Sequence, residues 1–408
     1  MATPAILALL ALAAPARSVT FDESLDLARG APAVAGARAA AETHRRVAGS
    51  ASALTANPTV TVLAGEARDE AAGKTRTTAE ATLLQGWNLS GLGGDRRATL
   101  RAEGGVLAAE ARAAALSHRL AAAQAWLELW AAQQSLSDSL QEHDIAKEFA
   151  ARMARAAGAE AFTRAEAADA AGYAAEAHVA AIAAEGEVAD RGFLLAVSMG
   201  LPAPEPLGAS GPLPAPPLPA RTGWEALLQA AERLPAVAAR RLASDAERSR
   251  AVEARAGRGW TLATGVKAMR DGADVRGVQG VVELGLPLFD RGEREAAAPA
   301  AASVRAAGEH REAAAGAATE LARALHEVEH TREVADATEK ELLPAAAENA
   351  RLREASMRAG ETTVLEVLVA RRAWAAARAR HTRSLAAHAW ARVKVWLLLA
   401  DLESGGRS

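Results

Sequence analysis

Thr59-Val60-Thr61-Val62-Leu63 and Leu262-Ala263-Thr264-Gly265-Val266 decide how the rest of the chain is to be read. In both stretches small or polar residues alternate with apolar ones, the period of a strand whose two faces meet different surroundings. A polar, Gly-containing turn follows each, Asp69 to Gly73 and Asp271 to Gly277. A return stretch comes next, near Thr77 to Leu89 and Val278 to Leu288. Each segment has about 10 residues, which is what a tilted strand needs to cross the apolar core of a bilayer. No run of about 18 apolar residues is present to span it as a helix, so any insertion must use strands.

Working outward, the hairpins belong to two halves that repeat at an offset of roughly 202 residues. Pro32-Ala33-Val34-Ala35 recurs as Pro235-Ala236-Val237-Ala238, and Arg155-Ala156-Ala157-Gly158 matches Met357-Arg358-Ala359-Gly360. Each half predicts a helix before its hairpin, over 20–55 and 222–256. A long helix follows, Asp95 to Ala157 and Asp290 to Ala359, then a Gly turn and a last helix of about 40 residues. At 1.5 Å per residue the long helices span roughly 95 to 105 Å, and the first and last helices of a half, stacked end to end, cover nearly the same distance. A continuous helix beside two stacked ones makes a tunnel wall. Pro299 and Pro344 fall inside the second long helix, where each predicts a kink or a change of register. The Pro-dense stretch from Leu201 through Pro219 reads as an extended connector between the halves.

Composition agrees with slim helices. Half of the 408 residues are apolar but only 3% are aromatic, so few side chains are large enough to fill a wide globular core. Close packing of Ala-rich helices suits this better. The net charge of −3 gives no basic face for nucleic acid, and the absence of Cys removes disulfides, thiolate metal sites and an N-terminal lipidated Cys. Residues 1–16 read as an export signal: an apolar run from Ala5 to Ala14 and the small-x-small site Ala14-Pro15-Ala16, without a basic residue before Arg17. The expected organisation is signal 1–16, first repeat 17–200, connector 201–220, second repeat 221–403 and a disordered tail 404–408.

Leu286-Pro287-Leu288-Phe289-Asp290-Arg291-Gly292, Gly93-Gly94-Asp95-Arg96-Arg97, Asn57-Pro58, Leu343-Pro344-Ala345 and Gly360-Glu361-Thr362-Thr363-Val364-Leu365-Glu366-Val367-Leu368 with Arg371 resemble the TolC-like outer-membrane efflux protein family in order and spacing. Within it, the Asn57-Pro58, Gly93–Arg97 and Pro287–Arg291 segments look most like the heavy-metal branch, the cobalt-zinc-cadmium and copper-silver type. The resemblance implies a mostly α fold with a small β part, in which each chain of a homotrimer gives four strands to a 12-stranded transmembrane β-barrel and four helical strands to a periplasmic tunnel. It implies a passive duct in the outer membrane of a Gram-negative bacterium, set in lipid. A periplasmic adaptor (membrane-fusion) protein and an inner-membrane pump of RND type are the implied partners. A type I secretion or drug efflux channel would share the fold. A soluble coiled-coil scaffold is the reading of another class, and the strand pairs argue against it.

No catalytic residue, cofactor or metal ligand is expected. His326-Glu327-Val328-Glu329-His330 fits the zinc-protease pattern, yet no third ligand or cleft stands out beside it, and a solvated helix face is the plainer reading. Ser90-Gly91-Leu92-Gly93-Gly94-Asp95 lacks the Lys-Ser/Thr of a phosphate loop and reads as a flexible hinge from barrel to tunnel. Gly158 and Gly360 supply left-handed backbone for turns at the periplasmic tip. There Arg152, Arg155, Arg353, Arg358 and Thr363 are placed for adaptor docking or gate salt bridges, with helix capping the alternative for any single Arg. Trp87 and Trp260, with Gly93, Gly94, Pro287, Phe289 and Gly292, mark the barrel-tunnel junction, the two Trp as interface anchors or as junction packing.

Overall fold

The computed structural model describes residues 17–50, 57–69, 73–159, 161–202, 205–219, 224–272 and 275–405. The signal at 1–16, most of the first hairpin's turn and the tail beyond Gly405 lie outside them. Contacts divide the chain into two compact units. One contains the described residues up to Ala35, Arg112–Leu234 and the chain from Gly316 on; the other contains Gly36–Ala111 and Pro235–Ala315.

The chain opens with β1 (Arg17–Thr20), α1 (Phe21–Arg29) and α2 (Pro32–Ser50). The sequence predicts one helix over 20–55, and the structure breaks it in two. Pro32 has no N–H to continue the ladder and disfavours helical backbone before it, so it becomes the first residue of a new helix. α1 is amphipathic at helical spacing, with Phe21, Ser24, Leu25 and Ala28 buried, and the Thr20 hydroxyl accepts the Glu23 N–H at 3.3 Å as its cap.

β2 (Thr59–Asp69) and β3 (Lys74–Asn88) follow, then α3 (Leu92–Gly158), 67 residues without a break, and α4 (Arg164–Ser198). The Pro-dense connector contributes β4 (Leu207–Ser210), which pairs in parallel with β1 from Arg17↔Leu207 to Thr20↔Ser210. This small sheet is a finding that the connector's composition hides. It is pinned by the Trp126 indole N–H on the Val19 carbonyl at 2.9 Å and by the Ala209 N–H on Gln133 at 3.1 Å. Gly192 admits it: a Cβ there would lie 2.6 Å from the Leu207 carbonyl oxygen.

The second half repeats the plan with α5 (Trp224–Ala230), a 3-10 turn (Ala231–Arg233), α6 (Pro235–Gly257), β5 (Thr261–Asp271) and β6 (Val275–Gly285). β6 ends before the predicted Leu288 because Pro287 cannot donate to a ladder. α7 (Glu293–Ala337) takes Pro299 into its body, and a π turn (Thr338–Leu342) joins it to α8 (Leu343–Arg358). The π turn is the register change that Pro344 predicts. The Leu343 N–H reaches back to the Thr338 carbonyl, a widened i→i−5 bond just before the residue that has no N–H to give. α9 (Val364–Gly405) closes the chain and runs into the stretch read as a tail. No helix among the described residues is long and apolar enough to cross a membrane.

Candidate functional site

The sheet of the second unit has the order β2-β3-β5-β6, antiparallel throughout, so the hairpin of one repeat pairs with the hairpin of the other through β3 and β5. Its register sorts the side chains. On one face Val60 stands opposite Leu83 and Leu83 opposite Val266, Val62-Ala81-Ala268-Val278 form the next row, and Trp87-Leu262-Leu284 form a third. The other face carries Thr61-Thr82-Lys267-Gln279 and the Glu80–Lys267 ion pair at 2.8 Å. The apolar face is bare: Val62 is 68% exposed, Val278 75% and Val282 73%. Contiguous exposed apolar surface marks a face made for an apolar environment. Strands of 11 residues rise about 36 Å, and a tilt near 40° brings that to about 27 Å, the height of an outer-membrane apolar band. Among the described residues β2 pairs only with β3 and β6 only with β5, which leaves one open edge at each end.

The sheet passes into helix through a hydrogen-bonded junction. Asn88 accepts the N–H groups of Ser90 at 2.8 Å and Leu92 at 3.4 Å and donates to the Ala256 carbonyl at 2.8 Å. Trp260, half exposed ahead of β5, accepts from the Leu89 N–H and donates its own N–H to the Ser90 hydroxyl, both at 2.8 Å. Within the Ser90–Asp95 segment the left-handed residue is Gly91, φ 83°, whose carbonyl accepts from Gly94 and Asp95, and Gly93 and Gly94 lie in the first turn of α3. At the second junction Asp290 accepts the Gly292 N–H at 3.0 Å, and Gly292 itself is left-handed, φ 79°. A Cβ on Gly292 would come within 2.8 Å of the Arg255 Cα, so both its φ and the neighbouring helix require glycine. Pro287 follows the end of β6, and Phe289 is fully exposed.

In the first unit the two hairpin turns share one construction at an offset of 200, not 202: Ala161 N–H donates to the Ala156 carbonyl at 3.0 Å and Glu361 N–H to the Ser356 carbonyl at 2.9 Å. Thr163 and Thr363 then cap α4 and α9, accepting from the N–H groups of Glu166 and Glu366 at 3.2 and 3.4 Å. Gly360 is left-handed at φ 75°, closing α8 as a Schellman turn. Gly158 is not. It is the last residue of α3, level with Arg358, and the position level with Gly360 is Glu160, which lies outside the described residues. Arg152 and Arg155 are exposed on α3. Arg353 pairs with Glu366 at 2.6 Å and Arg358 reaches Glu354 at 3.7 Å, so both are tied within the α8–α9 hairpin.

Beneath these turns Phe149, Met153, Tyr173, Val364, Val367 and Leu368 bury a common core. Beside it sits a charged network that the sequence does not announce. Arg371, 7% exposed, pairs with Glu354 and lies 3.5 Å from Glu142, and the Tyr173 hydroxyl donates to Glu142 at 2.6 Å. Burial pushes the Tyr173 phenol well above its ordinary pKa, and the hydrogen bond to Glu142 adds to it, so the hydroxyl stays protonated and donating. Glu142 and Tyr173 come from helices of the first repeat and Arg371 from the last helix of the second, so neither repeat contains the network by itself.

His326 and His330 stack on α7 with ring centroids 6.2 Å apart, and among the described residues no group of three or more His, Cys, Asp or Glu is placed to hold a metal. Among the described residues the zinc-peptidase pattern thus presents two exposed imidazoles on one helix.

Residues 226–399 match the family described as Outer membrane efflux protein. The structure is similar to CusC, solved in a study of its folding and transmembrane channel formation, at 13% identity over 94% of this chain and 91% of that one, TM-score 0.78. It is similar to the outer-membrane channel OprN at 15% identity over 93% and 89%, TM-score 0.77. The open-state MtrE outer membrane channel of Neisseria gonorrhoeae aligns at 18% identity over 93% and 88%, TM-score 0.70. No curated protein matches the sequence. The fold is that of these channels, mostly helical with a few strands; the matched family and structures are channels, not enzymes.

Proposed function

We propose that this chain is one subunit of an outer-membrane efflux channel, a passive duct that three copies close together. The observation that carries the reading is the four-stranded sheet: rows of Val, Ala, Leu and Trp cross one face, Thr, Lys, Glu and Gln stand among the residues of the other, and both edges are open. In lipid every backbone group must be paired, and an open edge cannot be tolerated. With four antiparallel strands per copy, β6 of one chain meets β2 of the next antiparallel. Three copies then give 12 strands with no edge left, apolar outward and polar inward. An even strand count is what such closure requires.

The matched family supports the outer membrane and efflux, and the sequence resemblance suggests the partners. The protein is set in the outer membrane of a Gram-negative bacterium, reaches into the periplasm, and takes its cargo from an inner-membrane pump of RND type through a periplasmic adaptor. The hairpin turns around 159–163 and 359–363 are the adaptor-docking end. Exposed Arg152 and Arg155 are free to meet the adaptor, whereas Arg353 and Arg358 hold their own hairpin. Heavy-metal cations are the cargo to which the junction motifs Gly93–Arg97 and Pro287–Arg291 incline.

The test uses the full chain expressed with export in a Gram-negative host. Extraction only with detergent, an SDS-resistant trimer that heating dissociates, and steady conductance in planar bilayers are expected. A water-soluble monomer would overturn the reading. Unchanged adaptor cross-linking and export in Arg152→Glu would remove the docking role from that residue.

A further inference from the structure

We propose that His143 and His178 form a binding site for an imidazole-preferring divalent transition metal, Zn(II), Cu(II) or Ni(II), that clips α3 to α4. His143 stands on α3 and His178 on α4, the two antiparallel helices that meet at the 159–163 turn. Their ring centroids are 4.8 Å apart with the planes inclined at 34°. A shared ion fits that spacing. With metal–nitrogen bonds of about 2.1 Å and each centroid about 1.1 Å behind its nitrogen, two imidazoles at tetrahedral or square angles sit roughly 4.5 to 5.2 Å apart.

A second observation points to a ligand. The Nδ1 atom of His143 is buried and has no hydrogen-bond partner. A buried polar atom left unpaired costs of the order of 1–3 kcal/mol, and a metal bond satisfies it. His178 is exposed, so an ion reaches the pair from solvent and completes its coordination with water. The other histidine pair of the chain makes a useful contrast. His326 and His330 lie on one helix with rings nearly parallel, 14°, and 6.2 Å apart. That separation lies outside the range for two imidazoles at tetrahedral or right angles about one ion. The 143–178 pair links two helices, and so an ion there tightens the hairpin as well as occupying a site.

The site stands independently of what the channel carries, because it is read on the purified chain. Full-length protein in detergent is titrated with Zn(II), Cu(II) or Ni(II) salts by calorimetry, and Cu(II) is followed by electron paramagnetic resonance. One ion per chain with a two-nitrogen coupling pattern is expected, together with a metal-dependent rise in melting temperature. His143→Ala and His178→Ala each weaken binding by at least about tenfold, since even outer-shell partners of a metal cost that much. The double variant His326→Ala/His330→Ala leaves the site intact. His178, being exposed, is replaced without disturbing the fold, so its variant keeps the test decisive if His143→Ala melts early. Binding unchanged in His178→Ala, or abolished instead by the 326/330 variant, overturns the proposal.

Discussion

The two helical hairpins of the first unit carry the same backbone plan in different chemistry, and the contrast shows which parts of a duplicated chain are free to diverge. Both turns close with a 6→1 hydrogen bond, Ala161 to Ala156 and Glu361 to Ser356, and both restart with Thr-x-x-Glu. The helices leading into them differ. α3 runs 67 residues unbroken, while its counterpart takes a π turn ahead of Pro344 to arrive at the same geometry. The helices leading out differ in the residues they bury. α9 contributes Arg371 where α4 has Ala171, and α4 contributes Tyr173 where α9 has Ala373. Backbone satisfaction at the turn is common to both, and the interior charge is divided between them.

The sharpest way to break this comparison is to remove the shared charge. Arg371→Met takes the cation from a network in which Glu142 and Arg371 are both under 10% exposed and leaves the Glu142 carboxylate facing the core. Stranding one partner of a buried pair costs about 3–5 kcal/mol. The expected result is a large fall in the melting temperature of the helical circular-dichroism signal. Arg371→Met with Glu142→Gln recovers much of that loss, because the deeply buried carboxylate goes with the cation, while Glu354, the other partner of Arg371, is less buried and still has Arg358 within 3.7 Å. Ala171→Arg, at the equivalent place in the first repeat, gains nothing, since no carboxylate awaits it at the matching position. Failure of the double variant to recover would mean that packing, not charge, holds the hairpins.

The glycines give a smaller effect with opposite signs. Gly360, at φ 75°, sits where an L side chain is strained; Gly158 is in helical backbone, and neither would meet an atom within 4 Å through an added Cβ. Gly360→Ala should therefore destabilise by about 1 kcal/mol, through backbone strain alone. Gly158→Ala should stabilise by about 0.5–1 kcal/mol, because alanine loses less freedom in a helix. Thermal melts of the two variants, run side by side, read this directly. A loss in both would place Gly158 in a left-handed turn after all.

That pair also shows where the sequence was legible. The alternation in Thr59–Leu63 and Leu262–Val266, the long helices and their order could all be read, because strand and helix periods are local and the repeat states each one twice. Gly158 could not. Aligning glycine with glycine at an offset near 202 is natural when letters are compared, but the turn is built by hydrogen-bond span and by Thr163 and Thr363, which fall at 200. Glu142 and Tyr173 carry no local pattern, and the motif that includes Arg371 does not announce its partners, since Arg371 meets Glu142 across more than two hundred residues. β1 and β4 were hidden for the same reason: parallel pairing of two short strands far apart in sequence leaves no period in either. At the first junction, composition marks Ser90–Asp95 as the place where the chain turns but does not tell which of its three glycines is left-handed; it is Gly91.

The capping threonines discriminate most finely between the turns. Thr163 forms a reciprocal box: its hydroxyl accepts the Glu166 N–H at 3.2 Å, and the Glu166 carboxylate accepts the Thr163 backbone N–H at 2.8 Å. In the second turn the bond from Glu366 N–H to Thr363 is longer, 3.4 Å, and the Glu366 carboxylate is shared with the Thr362 hydroxyl and Arg353. Thr163→Ala should cost about 1 kcal/mol and Thr363→Ala less, a few tenths, because Thr362 and Arg353 still hold Glu366. The pH dependence separates the two causes. The Thr163 backbone N–H first, and its hydroxyl second, hold the Glu166 carboxyl below its ordinary value of 4.5. A carboxylate depressed in the folded state adds stability that is full above that ordinary value and is lost as pH falls through the lower folded one. The difference between wild type and Thr163→Ala should accordingly be constant from neutral pH down to about 5 and shrink below about 4.5, as the carboxylate that completes the box is protonated. A difference that stayed constant through that window would show the hydroxyl acting on the helix N–H alone, its bond to the Glu166 carboxylate at 2.8 Å carrying no stability.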